Sequence, residues 1–176
     1  MTKNLIIYYS RKGTNYVSGS IQNLSKGNTE TCAELIQKTV GGDLFEVETL
    51  KSYSDDYETC TREAKAEKAA DARPELKARL NDVAAYDNIF VCGPCWWGTY
   101  PYPIFSLLEK IDFTGKRVYG LMTHEGSGLG RSQSDLARFC PGAEIGKGIA
   151  VFGSEVLRAP ESVETKIKTW LAGLKL

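Results

Sequence analysis

Leu5-Ile6-Ile7-Tyr8-Tyr9 is a continuous apolar run without alternation, the pattern of a strand buried on both faces of a parallel sheet. Beyond it the period changes. Cys32, Leu35, Ile36 and Val40 recur at i, i+3, i+4 and i+8, which is one helical face, and Gly41-Gly42 stops it. Leu44-Phe45-Glu46-Val47 reads as the second strand. Ile89-Phe90-Val91-Cys92, Val118-Tyr119-Gly120-Leu121-Met122 and Ile149-Ala150-Val151-Phe152 read as the third, fourth and fifth. Residues 55–80 are Ala-rich and dense in both charges, so one or two exposed helices are expected there, broken near Pro74. Ile104, Leu107, Leu108 and Ile111 mark another helical face. A short helix is expected near Ser132, where Ser132 and Asp135 have capping-box spacing with a shorter acid. Pro160 opens a last helix carrying Val163, Ile167, Trp170, Leu171 and Leu174. Strands each followed by a helix predict one doubly wound α/β domain over residues 1–176, with a five-stranded parallel sheet and helices on both faces.

Composition narrows the function classes. Twenty-two Lys and Arg balance twenty-two Asp and Glu, against the basic excess expected of a nucleic-acid binder. A hydrophobic share of 42% is enough for a real core. No apolar run approaches the ~18 residues of a membrane span. Met1-Thr2-Lys3 followed by Leu5–Tyr9 is too short for a signal peptide's apolar stretch. The five cysteines therefore read as reduced thiols in a cytoplasmic protein, and the Asn23-Leu24-Ser25 sequon carries no weight.

In doubly wound sheets ligands bind outside the carboxyl ends of the strands, where strand order reverses, so the loops after strands one, three and four matter most. After strand one, Ser10 is followed by a polar stretch and then by Gly27-Asn28-Thr29-Glu30-Thr31 opening a helix. Small polar residues at a helix N-terminus suit a phosphate, and they also suit a plain N-cap by Asn28 or Thr29. No Walker lysine follows, and no Gly-x-Gly-x-x-Gly spacing occurs. After strand three comes Gly93-Pro94-Cys95-Trp96-Trp97-Gly98-Thr99-Tyr100-Pro101-Tyr102-Pro103, a stiff aromatic loop suited to stacking against a flat ring system. After strand four, Thr123-His124-Glu125-Gly126-Ser127-Gly128-Leu129-Gly130 lets main chain approach a ligand closely. His124 is the only histidine and has no Ser or Cys nucleophile partner, which places it in a ligand loop and not as a base.

Together Ser10 with Gly27–Glu30, Trp96-Trp97-Gly98 and Thr123–Gly128 resemble the flavodoxin-like FMN proteins over nearly the whole chain. The resemblance implies the strand order 2-1-3-4-5, for which flavodoxin is itself the type example, with FMN at the switch point. It implies that Ser10, Gly27, Asn28, Thr29, Glu30 and Thr31 form the phosphate loop. Pro94, Cys95, Trp96, Trp97, Gly98 and Thr99 would flank the isoalloxazine, with Trp97 stacked on it and the Gly98-Thr99 peptide facing N5. Thr123, His124, Glu125, Gly126, Ser127 and Gly128 would meet the pyrimidine edge. The chain departs from the family pattern in three places. Residues 11–26 are inserted in the phosphate loop, bringing Arg11, Lys12 and Lys26 near it. The 123–130 loop lacks an aromatic, which implies stacking on one face only. Thr99 stands where an acid is common.

Cys92-Gly93-Pro94-Cys95 spells a dithiol motif, but a reactive first cysteine needs a helix N-terminus. Here the motif ends a buried strand, and Gly98, Pro101 and Pro103 stop a helix from running on. The expected function is therefore FMN-based electron carriage, with a Gly98-Thr99 peptide flip stabilising the half-reduced flavin. The alternative is an FMN-dependent NAD(P)H:quinone-type oxidoreductase, and a dithiol oxidoreductase using Cys92 and Cys95 is the outsider. A redox partner protein, a quinone or NAD(P)H are the partners these imply, with no metal. Zero net charge keeps the enzyme in play, because electron-shuttling flavodoxins are typically acidic and steer to basic partners.

Overall fold

Alternate residues of the first strand enter two different cores, and that division builds the layers. The computed structural model describes residues 2–176. It runs β1 (Asn4–Tyr8), β2 (Gly13–Val17), β3 (Ser20–Leu24), α1 (Asn28–Val40), β4 (Asp43–Glu46), α2 (Tyr57–Ala69) and β5 (Asn88–Pro94). There follow α3 (Tyr102–Leu108), β6 (Arg117–His124), α4 (Ser132–Phe139), β7 (Glu144–Ile145), β8 (Ile149–Phe152), α5 (Gly153–Arg158) and α6 (Pro160–Ala172). Leu5 and Ile7 of β1, with Ile89 and Val91 of β5, pack on the α3 and α4 side against Ile104, Leu108 and Leu136. Their neighbours Ile6, Tyr8, Phe90 and Cys92 pack on the opposite side against Ile36 of α1 and Val163 and Ile167 of α6. Full burial of each such aliphatic side chain contributes roughly 1.5–3 kcal/mol.

The main sheet has the order β4-β1-β5-β6-β7, with β8 also on β6, and every pairing in it is parallel. The fifth strand is thus two pieces. β7 pairs with Arg117–Val118 and β8 with Leu121–His124, and together they complete the expected order 2-1-3-4-5. The inserted residues form a separate antiparallel hairpin, β2–β3, in which Tyr16 faces Ile21. Its Ser18-Gly19 turn has φ of 50° and 92°, the conformation that matches the twist of a two-residue hairpin.

Three local expectations are corrected. The charged stretch 55–80 is helical only over Tyr57–Ala69. Asp71 then takes φ 44°, and the chain beyond turns extended enough for Leu76 to bridge Thr49. Helix α1 is not capped by Asn28 or Thr29: Gly27 is its N-cap residue and has no side chain to offer. Ser132 is the first residue inside α4 and does not cap it; its hydroxyl is buried without a partner among the described residues.

Candidate functional site

The registers Tyr8↔Cys92 and Pro94↔Thr123 bring the carboxyl ends of β1, β5 and β6 side by side, so the three loops singled out above open into one cleft. At one end, α1 points its N-terminus into it. The N–H of Glu30 donates to Ser10 Oγ at 3.0 Å, a cap supplied from the far side of the hairpin, and Thr31 N–H donates to Gly27 O. The N–H groups of Asn28 and Thr29 have no protein acceptor among the described residues. Asn28 Oδ1 is buried and likewise unpartnered. Thr29 and Thr123 share a 2.7 Å hydroxyl hydrogen bond across the cleft floor. Asn28, Thr29 and Thr123 line a cavity of about 130 Å³ together with Pro94, Cys95 and His124.

The cleft continues as a chamber of about 350 Å³ between the 95–98 loop, α2 and Ser127. Trp96 is held by edge-on contacts with Tyr9 and Tyr53, each at 5.1 Å between centroids. Tyr53 in turn donates to Glu67 at 2.7 Å. Trp97 takes φ 55°, a strained left-handed conformation for a bulky residue. It is fixed there by its indole N–H to Thr61 O at 2.9 Å and by Lys68 Nζ on its own carbonyl at 2.6 Å. The ring stays 45% exposed at the rim.

Thr99 turns away from the cleft. It is fully buried, and its hydroxyl donates to Asp135 in α4. The Gly98 carbonyl accepts the Arg131 N–H at 2.8 Å, and Thr99 N–H leans on Trp96 O at 3.4 Å, so the Gly98–Thr99 peptide is held from both sides. His124 organises its loop. Its Nδ1 accepts from Gly126 N–H at 2.9 Å and Gly128 N–H at 3.1 Å, which spends those two amides on the loop itself. Burial, with Lys166 nearby, lowers its pKa and favours the neutral acceptor form.

Comparisons with known proteins show the family and the fold. The sequence model of the flavodoxin family matches residues 5–172. The chain belongs to the flavodoxin family. No curated protein matches this flavodoxin at a significant level. A candidate flavoprotein from Bacteroides uniformis ATCC 8492 is 26% identical, covering 97% of this chain and 98% of its own, with a TM-score of 0.72. Another, from Bacteroides eggerthii DSM 20697, is 24% identical over 99% and 100% of the two chains, with a TM-score of 0.75. A Lactobacillus acidophilus NCFM flavoprotein solved in complex with FMN shares the fold at 21% identity, 90% and 97% coverage, and a TM-score of 0.63.

Of the residues expected at the site, this flavodoxin brings Asn28, Thr29, Pro94, Cys95, Trp96, Thr123, His124 and Glu125 to the first cavity. Trp97, Gly98 and Ser127 line the chamber. Ser10 and Glu30 border a different hollow, outside both, and Thr31 turns its hydroxyl to Gly27 O. Of the three inserted cations, Lys26 is paired with Glu34 at 2.7 Å, and Lys12 borders that outer hollow. Arg11 reaches the cleft but donates to Thr14, Ser54 and Asp55. The 123–130 loop brings no aromatic, but Tyr16 of β2 and Tyr57 of α2 stack at 6.4 Å and both line the first cavity. Sequence reasoning missed both, since one lies in the insertion and the other opens a helix read only as a solvated face.

The two cysteines of the dithiol motif point to opposite sides of the sheet, Cys92 into the α1 and α6 core and Cys95 toward the cleft. Burial pushes the Cys92 thiol well above its ordinary value, the reverse of a reactive thiol.

Proposed function

We propose that this chain is an FMN-binding redox protein that takes electrons in pairs, as an NAD(P)H-dependent reductase of a quinone-type acceptor. The α1 N-terminus would hold the phosphate, and the chamber beside Trp96 and Trp97 would take the ring system. The observation that carries the cofactor is the set of unspent polar groups at that end. Two free N–H groups, aided by the helix dipole, suit an anion, and the orphaned Asn28 Oδ1 is an acceptor for a sugar-chain hydroxyl. A buried acceptor left without a partner costs about 1–3 kcal/mol, so a ligand that satisfies it is stabilised there.

FMN supplies the electron-transfer chemistry when bound; the protein binds, orients and shields it. The Tyr9 and Tyr53 edges fix the Trp96 ring. Lys68 and Thr61 fix Trp97. Arg131 N–H keeps the Gly98 carbonyl turned toward α4. That last contact favours paired electrons over one-electron carriage, because a peptide held on both sides cannot turn toward the ring without breaking its bonds. One-electron carriage to a protein partner is the second reading. It is favoured by the exposed side chains Tyr16 and Trp97 at the cleft and Phe152, which packs on His124, a set suited to docking.

The experiment is a titration of flavin-free protein with FMN, followed by turnover. One equivalent should bind, and NADH or NADPH should then be oxidised rapidly with a soluble quinone. Failure to bind FMN removes the whole proposal. FMN binding without pyridine-nucleotide oxidation leaves the carrier.

A further inference from the structure

Glu125 lines the first cavity, and each of its carboxylate oxygens also accepts a hydrogen bond from a distant part of the chain. Oε1 accepts the Ser154 N–H at 2.6 Å, at the start of α5. Oε2 accepts the Ser18 N–H at 2.9 Å, at the tip of the hairpin, 107 residues away in sequence. Arg158 adds a bond to Ser18 Oγ at 3.0 Å. At the hairpin base, Arg11 ties Thr14 O at 3.0 Å and Ser54 O at 2.9 Å. Between base and tip, Asn15 and Tyr16 lie along the cavity that holds Asn28 and Thr29.

We propose that β2–β3 is a strap across the phosphate end of the cleft, that Glu125 is its latch, and that unlatching governs how fast the cofactor leaves. The proposal rests on the FMN reading above. It follows from how the hairpin is held. A lone two-stranded hairpin is marginal by itself. This one anchors few apolar side chains: Val17 and Leu24 are buried, while Tyr16 and Ile21 stay 44% and 50% exposed. Apart from the Tyr16–Tyr57 stack, its closed position therefore depends on the polar ties at its two ends. Those ties meet partly solvated groups and break at little cost compared with the core. The turn is shaped for the contact, since Ser18 and Gly19 in the left-handed region present the Ser18 N–H to the β6 loop. Glu125 is thus a positioning residue, acting on the cofactor through the hairpin.

The test measures FMN release from the loaded protein after dilution into a flavin trap, read by recovery of flavin fluorescence. Glu125→Gln keeps one acceptor oxygen and loses the other, and should speed release about tenfold, equivalent to ~1.4 kcal/mol. Arg158→Ala should speed it to a smaller extent. Ser18→Gly retains the Ser18 N–H and should match Arg158→Ala. Replacing 14–23 by two glycines, between the paired Gly13 and Leu24, should give the fastest release of all. Melting of the flavin-free Arg158→Ala protein should not shift, which separates latching from general stability. Wild-type protein that binds no FMN overturns the functional reading, and the strap with it. FMN that binds but leaves the strapless and wild-type proteins at one rate overturns the strap alone. So does fast release from Glu125→Gln with slow release from the strapless protein, because Glu125 would then act on the cofactor directly.

Discussion

Gly130→Ala is the substitution that best tests how the 97–99 backbone is held. Gly130 has φ 49°, and a Cβ placed on it would lie 2.9 Å from the Gly98 carbonyl carbon and nearer still to its oxygen. That carbonyl is the acceptor for Arg131 N–H at 2.8 Å. An L-residue in the left-handed region costs ~1–2 kcal/mol. Losing the backbone hydrogen bond costs about 1 kcal/mol more. With an unfolding entropy near 2.1 cal/mol/K per residue, a total of about 2–3 kcal/mol lowers Tm by roughly 5–8 °C. Calorimetry on the flavin-free protein measures this directly. The functional consequence is separate. Freed from Arg131, the Gly98 carbonyl can turn toward the cleft, so stepwise reduction of the FMN-loaded variant should show more one-electron-reduced flavin than wild type. A Tm within about 1 °C of wild type would show that Gly130 is not needed for the approach. A lowered Tm with an unchanged one-electron fraction would show that the peptide does not control electron pairing, and would sink the reason for preferring a reductase.

Two further outcomes follow from side-chain environments. His124 has a folded pKa below its unfolded value of about 6.5, so its contribution to stability is complete above that pH and is lost as pH falls through it toward the folded value. Wild type should therefore lose more Tm than His124→Gln between neutral pH and mild acid, and parallel curves would refute the role of Nδ1 as loop acceptor. Among the five thiols, Cys95 is the partly exposed one, whereas Cys32 is buried with its pKa pushed up to about 12 and burial also raises that of Cys92. Alkylation followed by mass spectrometry should label Cys95 first and more slowly once FMN is bound; labelling of Cys92 at the same rate, or a Cys92–Cys95 disulfide on mild oxidation, would contradict the opposite facing of the two.

Much of the fold was legible in the chain because strand burial is written in local composition. Runs such as Leu5–Tyr9 and Ile89–Cys92 are apolar at every position only when both faces are covered, and that requirement already implies helices above and below. That Asn28, Thr29 and the Trp96-Trp97 loop would reach the cleft was legible too, since they sit in contiguous segments at the ends of strands. Tyr57 was not. It opens a helix whose sequence is dominated by solvated charges, and only packing against Tyr16 turns it inward. The direction of the Thr99 side chain was not legible for a related reason: its neighbours in sequence face the cleft, but Asp135, far along the chain, draws its hydroxyl into the core.

By itself, then, the sequence determined the layered α/β architecture, the strand order implied by the family pattern, and which three loops meet at one cleft. Periodicity and backbone propensity are local, and they act through neighbours in the chain. Tertiary structure alone decided that Ser10 caps α1 across an inserted hairpin, that Arg131 holds the Gly98 carbonyl, and that Glu125 binds Ser18 and Ser154. Each of these is a hydrogen bond between groups far apart in sequence. No composition or spacing specifies which of several nearby polar partners such a group will meet; the packing of the sheet and helices brings one within 3 Å and leaves the rest to solvent.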